Sequence, residues 1–312
     1  KCIEVKYSKV TFETKLIIIS ILFISPTIRS ILAWPYPLIW AICFFLISIY
    51  YFLKFNYSNK KKEKFIYSLL NVLFLAISSY LTPNFSIFAI YFFLFFFKEF
   101  KKDNKIYFII LENFILALPA IYFIITKDFY LFKDEVYDIP NTVKYNLSNK
   151  IIIITTIIIF FFIPFINFSK LKNKIKNLLK INIINLIIFS FFIINILLFN
   201  FLPGAGGGIF YHLSNKIIGN SSILFVTFAI SLLIFRIYKL YNFNNIFLFI
   251  ILVIYNLQFT IYYKYFDPIT IFIFLFLLKF TEKFELKEIT KKYLILYIFF
   301  LVLNIFKKSI IY

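Results

Sequence analysis

The residues of this sequence that could do chemistry lie mainly in four short polar stretches between long apolar runs. One stretch, LPGAGGGIFYHLSN at 202–215, holds the chain's only histidine, His212, and four of its five glycines. Glycines let a backbone approach a ligand or a neighbouring loop closely, so we predict Gly206, Gly207 and His212 as binding residues. Helix packing of the glycines and a purely structural histidine are the alternatives.

Two nucleotide-binding motifs fail in this stretch. A P-loop needs Gly-Lys-Ser/Thr after its glycines, and none follows here. The dinucleotide pattern G-x-G-x-x-G fails because position 209 is isoleucine. A single histidine cannot build a metal centre, so we predict no metal site.

A second stretch, FTIYYKYFDPITIFIF at 259–274, combines Tyr263, Lys264 and Asp267. These residue types together predict an anion- or sugar-binding rim at an aqueous face. The alternative is that Asp267 caps a helix whose first residue is Pro268, since aspartate and proline favour these two positions. Both interpretations can hold at once.

A third stretch, SPTIRSILAWPYPLIW at 25–40, contains Arg29 and Trp34. Arginine offers phosphate a planar, bidentate set of donors that lysine lacks, so we predict Arg29 in phosphate binding with Trp34 beside it. The alternative is an arginine that reaches the membrane interface within a tryptophan belt.

The fourth stretch, KDFYLFKDEVYDIP at 127–140, supplies weaker candidates for carbohydrate binding, namely Asp134, Glu135 and Asp138. The alternative is an amphipathic helix on the membrane surface with these acids in water. Glu112 lies inside an apolar run, where an acid suggests either a functional site or a hydrogen-bonded structural residue.

These stretches are positioned by apolar runs that predict membrane-spanning helices. The chain is 62% hydrophobic with a mean hydropathy of +0.90, whereas soluble domains are about 45–50% apolar. The sequence therefore predicts an all-α, polytopic transmembrane bundle of about 10–11 spans, forming one integral membrane domain over 1–312. The stretch at 84–97 could instead be re-entrant. The candidate spans are 15–26, 38–55, 65–81, 84–97, 106–126, 151–168, 181–202, 221–238, 246–263, 268–280 and 293–306.

The lysines predict the orientation of these spans. When span ends are counted with the adjoining connections, 25 of the 34 Lys and Arg residues fall on one side and nine on the other. The positive-inside rule makes the richer side, which includes the first residues, cytoplasmic. Seven of the nine prolines and all five glycines then share the opposite face, where irregular loops would carry function. Lysines beside headgroups account for the net charge of +20, so we predict the lipid bilayer as a partner and no nucleic acid.

The order of these stretches resembles the GT-C class of polytopic membrane glycosyltransferases, and within it the mannosyl- and α-1,2-glucosyltransferases of lipid-linked or surface glycans. The stretches that carry the resemblance are SPTIRSILAWPYPLIW, SYLTPNFSIFAIYF, LPGAGGGIFYHLSN and FTIYYKYFDPITIFIF. It implies a GT-C-like fold, a polyprenyl-phosphate sugar as donor and a glycan acceptor at the extracytoplasmic face. It also implies a bacterial inner or plasma membrane, or the endoplasmic reticulum membrane of a eukaryote.

One departure from the GT-C pattern matters. The class carries its catalytic acid in the first external loop, but residues 26–37 contain no acid. We therefore expect the first span and catalytic loop to lie upstream of Lys1, and the catalytic base is not assigned. No cofactor is established by the sequence, and use of a divalent cation stays open. The alternatives are a transporter, flippase or polymerase of lipid-linked glycans, or a noncatalytic membrane subunit.

Overall fold

The computed structural model of the chain describes residues 1–7, 11–20, 28, 37–126, 146–166, 182–201, 206–255, 261, 263–279, 292–296, 298–299 and 302. These ranges are helical except for turns, short connections and one isolated backbone bridge. The helices are α1 Cys2–Lys6, α2 Phe12–Ser20, α3 Pro37–Tyr57, α4 Lys61–Leu81, α5 Phe88–Phe100, α6 Lys105–Thr126, α7 Leu147–Phe162, α8 Ile183–Leu197, α9 Gly208–Ile218, α10 Ser222–Ile237, α11 Phe243–Ile254 and α12 Tyr263–Phe272. Single 3-10 turns, Pro83–Ile87 and Ile163–Phe165, precede α5 and follow α7, and a π-helical turn, Ile273–Leu277, extends α12.

Five helical segments are long and apolar enough to cross a membrane, which confirms a multi-pass helical membrane protein. They contain 18–22 residues, which at 1.5 Å per residue covers about 27–33 Å, the thickness of a hydrocarbon core. Three further apolar helices, α8, α10 and α11, are shorter. The predicted spans at 15–26 and 293–306 lie partly outside the described residues. The five segments are Pro37–Tyr57, Lys61–Leu81, Pro83–Phe100, Lys105–Thr126 and Leu147–Phe165.

Helices α3 and α4 form an antiparallel hairpin held by buried polar side chains. Near its middle, Asn71 Nδ2 donates to the carbonyl and hydroxyl oxygens of Ser48, both at 2.8 Å. Near one end, Ser78 Oγ donates to the carbonyl of Ala41 at 2.8 Å. Hydrogen bonds of this kind join helices that lipid alone would not drive together.

Helix α5 runs parallel to α3, which favours a crossing segment at 84–97 over the re-entrant alternative. Phe45 packs against Phe85 with ring centroids 4.8 Å apart, and ten residues further along α3, Phe55 packs against Phe96 at the same distance. The segment therefore accompanies α3 from one end to the other. With the turn before it, the segment has 18 residues and is apolar enough to cross a membrane.

Helix α7 lies at the centre of the second half of the fold. In its most apolar part, 83% of the residues are buried. The corresponding share for α6 is 6%, so α6 faces outward along most of its length. Phe162 stacks on Phe274 at 5.6 Å, so the π-helical turn after α12 lies beside the end of α7. The continuous apolar runs at 151–168 and 106–126 look alike in sequence, and packing alone makes one central and the other peripheral.

Two predicted spans end earlier than expected. The span at 181–202 stops at Leu197, because the following residues leave the helix to pair with α7. The span at 246–263 stops at Ile254, and Ile261 forms the isolated bridge instead of a helical turn. Short apolar runs suit helix and extended backbone equally well, so composition did not separate the two.

Candidate functional site

The glycine-rich stretch contacts the segment that leads into α12. Gly206 and Ile261 form an isolated parallel bridge, and Gly207 N donates to the carbonyl oxygen of Ile261 at 3.0 Å. Two stretches predicted to share one face of the membrane therefore meet through their backbones. This contact joins residues far apart in sequence and defines the candidate site.

Only glycine fits the point of contact. Gly206, Gly207 and Gly208 have φ angles of 85°, 104° and 76°, which side chains of L-residues rarely adopt. A Cβ atom on Gly206 would lie 2.5 Å from the carbonyl oxygen of Ile261. Glycine at position 206 is thus required for the two backbones to approach each other.

Aromatic side chains enclose the next glycine. A Cβ atom on Gly207 would lie 2.5 Å from Tyr211 Cδ1, and the rings of Tyr211 and Phe201 meet edge to face at 4.8 Å. Tyr211 OH donates to the carbonyl of Phe201 at 3.3 Å. Burial raises the pKa of Tyr211, so this hydroxyl is a neutral donor.

The site lies inside the bundle rather than above it. A Cβ atom on Gly208 would contact Ile153 and Ile157 of α7 at 3.5–3.6 Å. These residues follow the start of α7 at Leu147 by six and ten positions, a depth of about 9–15 Å along the helix. Irregular backbone at such depth is tolerated where protein surrounds it or where it lines a cavity.

Two asparagines at the start of α7 hydrogen-bond to the segment that leads from α8 to the site and so hold it in place. Asn149 Nδ2 donates to the carbonyl of Asn200 at 2.9 Å, and Asn200 N donates back to Asn149 Oδ1 at 2.9 Å. Asn146 Nδ2 donates to the carbonyl of Leu198 at 2.7 Å. These positioning residues were not predicted, although two asparagines at the start of an apolar run are a signal that could have found them.

Asp267 lies within α12 and is fully buried, so the prediction that it caps a helix is wrong. It does not cap a helix at Pro268, because α12 already begins at Tyr263. Its predicted part in an anion- or sugar-binding site with Lys264 stays a prediction. Thr270, one turn further on, is also fully buried, and its Oγ1 has no hydrogen-bond partner within the ranges described.

Two threonines of α7 complete a set of buried polar residues. Thr155 and Thr156 are at most 1% exposed and donate to carbonyls of their own helix. Helix α12 packs on α7, and Phe274, seven residues after Asp267, reaches Phe162, six residues after Thr156. The buried polar residues Asp267 and Thr156 thus belong to two helices that pack on each other.

Of the remaining candidate residues, three lie in the part of the chain that the structure describes and five do not. His212 is exposed on α9, with its ring 5.7 Å from that of Tyr211, and α9 is a separate helix rather than the edge of a span. Tyr263 and Lys264 lie in the first turn of α12, just after Ile261, so their backbones belong to the site. The other candidates fall outside the described residues: Arg29, Trp34, Asp134, Glu135 and Asp138.

The described part of the chain contains no cluster of metal-binding side chains. No group of three His, Cys, Asp or Glu side chains there could hold an ion. Asp267 is the one carboxylate between 263 and 279. The chemistry that these residues offer is hydrogen bonding and charge beside a close backbone junction.

Comparison with protein-family models, curated proteins and solved structures finds no match to this chain. Its function is therefore argued from its residues and their geometry.

Proposed function

We propose that this protein is a membrane glycosyltransferase that moves a sugar from a polyprenyl-phosphate carrier to a lipid-linked or surface glycan acceptor. Support comes from the backbone contact between Gly207 and Ile261 at 3.0 Å. It joins two of the four stretches on which the resemblance to the GT-C class depends. A loop held this tightly can present donors to a substrate without reorganising during reaction.

The reaction needs a base, a cation and an acceptor hydroxyl. The acceptor oxygen bonds to the anomeric carbon while the bond from that carbon to the carrier phosphate breaks. A carboxylate base takes the hydroxyl proton, and cationic groups stabilise the leaving phosphate. We propose Lys264, Arg29 and His212 as candidates for the cationic role, and Asp267 as a buried positioning residue. The catalytic base is not assigned to a residue.

The test is sugar transfer by the full-length protein in proteoliposomes supplied with radiolabelled polyprenyl-phosphate sugars and a glycan acceptor. Lys264→Ala should lower kcat about 100-fold, the usual cost of losing one group that stabilises transition-state charge. Lys279→Ala is the matched control, since Lys279 is an exposed lysine beyond the opposite end of the same helix. Unchanged transfer in both Lys264→Ala and Arg29→Ala would remove the proposed roles.

A second candidate is translocation or polymerisation of lipid-linked glycans. It is favoured by the buried Asp267 and Thr270 near non-helical backbone inside the bundle, an arrangement used by transporters at their binding sites. The same proteoliposomes separate the two functions. Movement or joining of lipid-linked glycan without use of a polyprenyl-phosphate sugar, abolished in Asp267→Asn, would favour this candidate over the transferase.

A further inference from the structure

A large apolar cavity lies between α7, α8, α10, α11 and the π-helical turn after α12. Its volume is about 600 Å³, and aliphatic and aromatic side chains form nearly all of its wall. Small-molecule sites in proteins are mostly apolar clefts of about 300–1,000 Å³, so a cavity of this size can hold a ligand. Water is a poor occupant because the wall offers few polar partners.

The shape of the cavity suits a hydrocarbon chain. Its wall follows α11 from Asn245 to Ile254, nine residues or about 13 Å of helix. Some lining side chains are also open to the outside: Ile187 is 62% exposed and Ile250 is 46% exposed. A chain from the surrounding bilayer can therefore enter from the side.

Arg236 supplies a positive charge at one end of this cavity. Its Nε donates to Asn185 Oδ1 at 3.2 Å, and its Nη1 donates to Tyr241 OH at 2.9 Å. The guanidinium also lies 5.1 Å from the centre of the Tyr241 ring. These contacts orient the group, but no carboxylate in the described part of the chain neutralises it.

The choice of arginine at this position is informative. Arg236 and Arg29 are the only arginines among 34 basic residues. A guanidinium binds phosphate oxygens in pairs, whereas an ammonium acts as a point charge. An oriented guanidinium without a carboxylate partner, at the end of an apolar cavity, is complementary to a lipid that carries a phosphate.

We propose that an anionic phospholipid occupies this cavity, with an acyl chain along α11 and its phosphate on Arg236. The phosphate end of the cavity is separate from the backbone junction of the proposed glycosyltransferase site, although Thr270 lines the cavity at its other part. Arg236 lies 14 residues from the start of α10 at Ser222, about 21 Å along the helix from the end that follows the glycine-rich segment. Loss of one site therefore need not mean loss of the other.

The first experiment measures lipid preference by native mass spectrometry of the full-length protein with equal amounts of phosphatidylglycerol and phosphatidylcholine. The wild type should retain phosphatidylglycerol preferentially, and Arg236→Gln should lower that preference about tenfold, as expected for loss of a charge-assisted hydrogen bond. Arg236→Lys should fall between the two. Lys239→Gln removes the same charge from an exposed residue that does not line the cavity, and should leave the preference unchanged.

The second experiment locates the bound acyl chain. It uses the wild-type protein, so it does not depend on whether a variant folds. Phosphatidylglycerol with a diazirine on one acyl chain should crosslink mainly to peptides of α8 and α11. Crosslinks that favour α6, whose outward surface samples the surrounding lipid, would overturn the proposal. So would equal retention of both lipids by the wild type, or displacement of phosphatidylglycerol by a lower concentration of polyprenyl phosphate.

Discussion

The glycines that the structure describes differ in what a side chain would meet, although all of them have a positive φ angle. Gly206 and Gly219 have φ angles of 85° and 75°. A Cβ atom on Gly206 would collide with the carbonyl of Ile261, whereas one on Gly219 would meet nothing within 4 Å. The two positions therefore separate the cost of backbone conformation from the cost of lost space.

Alanine substitution should reveal this difference. We expect Gly219→Ala to lower the free energy of unfolding by about 1–2 kcal/mol, the cost of a left-handed residue with a side chain. Gly206→Ala should cost about 2–5 kcal/mol, because the steric clash is added to the same backbone term. Unfolding in detergent micelles measures both. Equal losses would show that the contact with Ile261 does not constrain the chain.

Buried polar side chains act at the level of elements, and their partners decide what they stabilise. Asn71 is fully buried and binds Ser48 on the neighbouring helix. Asn195 is only 3% exposed, yet its Nδ2 donates to the carbonyl of Phe191 in its own helix at 2.8 Å. Two buried asparagines thus differ in role: the side chain of Asn71 joins two helices, whereas that of Asn195 bonds within its own helix.

We expect Asn71→Ala to destabilise the α3–α4 hairpin by about 1–2 kcal/mol, the range of interhelical hydrogen bonds in membranes. Asn195→Ala should cost less, since no interhelical bond is lost. Denaturation of both variants in mixed micelles, monitored by circular dichroism, gives the comparison. A larger loss for Asn195→Ala would contradict the role assigned to Asn71.

At the scale of the whole molecule, the described connections between helices lie at two opposite ends of the bundle. The turns after α3 and α5 are joined by ion pairs from Lys61 to Asp103 at 3.0 Å and from Lys64 to Glu99 at 2.7 Å. Both turns belong to the lysine-rich set that the positive-inside rule makes cytoplasmic. The chain alternates direction through α3, α4 and α5, so the glycine-rich segment is expected at the opposite end.

Cysteine labelling tests this arrangement. In a background with Cys2→Ser and Cys43→Ser, we expect Lys60→Cys and Lys102→Cys to react with an impermeant maleimide only from the cytoplasmic side. Asn220→Cys, in the exposed connection between α9 and α10, should react only from the other side. Labelling of all three positions from one side would show that the predicted orientation is wrong.

The sequence by itself determined the longest apolar helices, five of which are long enough to cross a membrane. Hydrocarbon forces each crossing segment to satisfy its own backbone hydrogen bonds, so an apolar run of sufficient length becomes a helix wherever it lies. The runs predicted at 38–55 and 106–126 therefore match α3 and α6 within one or two residues at each end. The glycine cluster also indicated a backbone with positive φ angles, because few other residues accept that conformation.

Tertiary structure alone decided which of these segments meet. Lipid and protein interior are equally apolar, so the sequence carries little sign of which helix face is buried. The pairing of Gly206 with Ile261, the burial of Asp267 inside α12 and the cavity that ends at Arg236 all depend on such contacts. Composition supplied the elements and the candidate residues, and packing across distant parts of the chain created the sites.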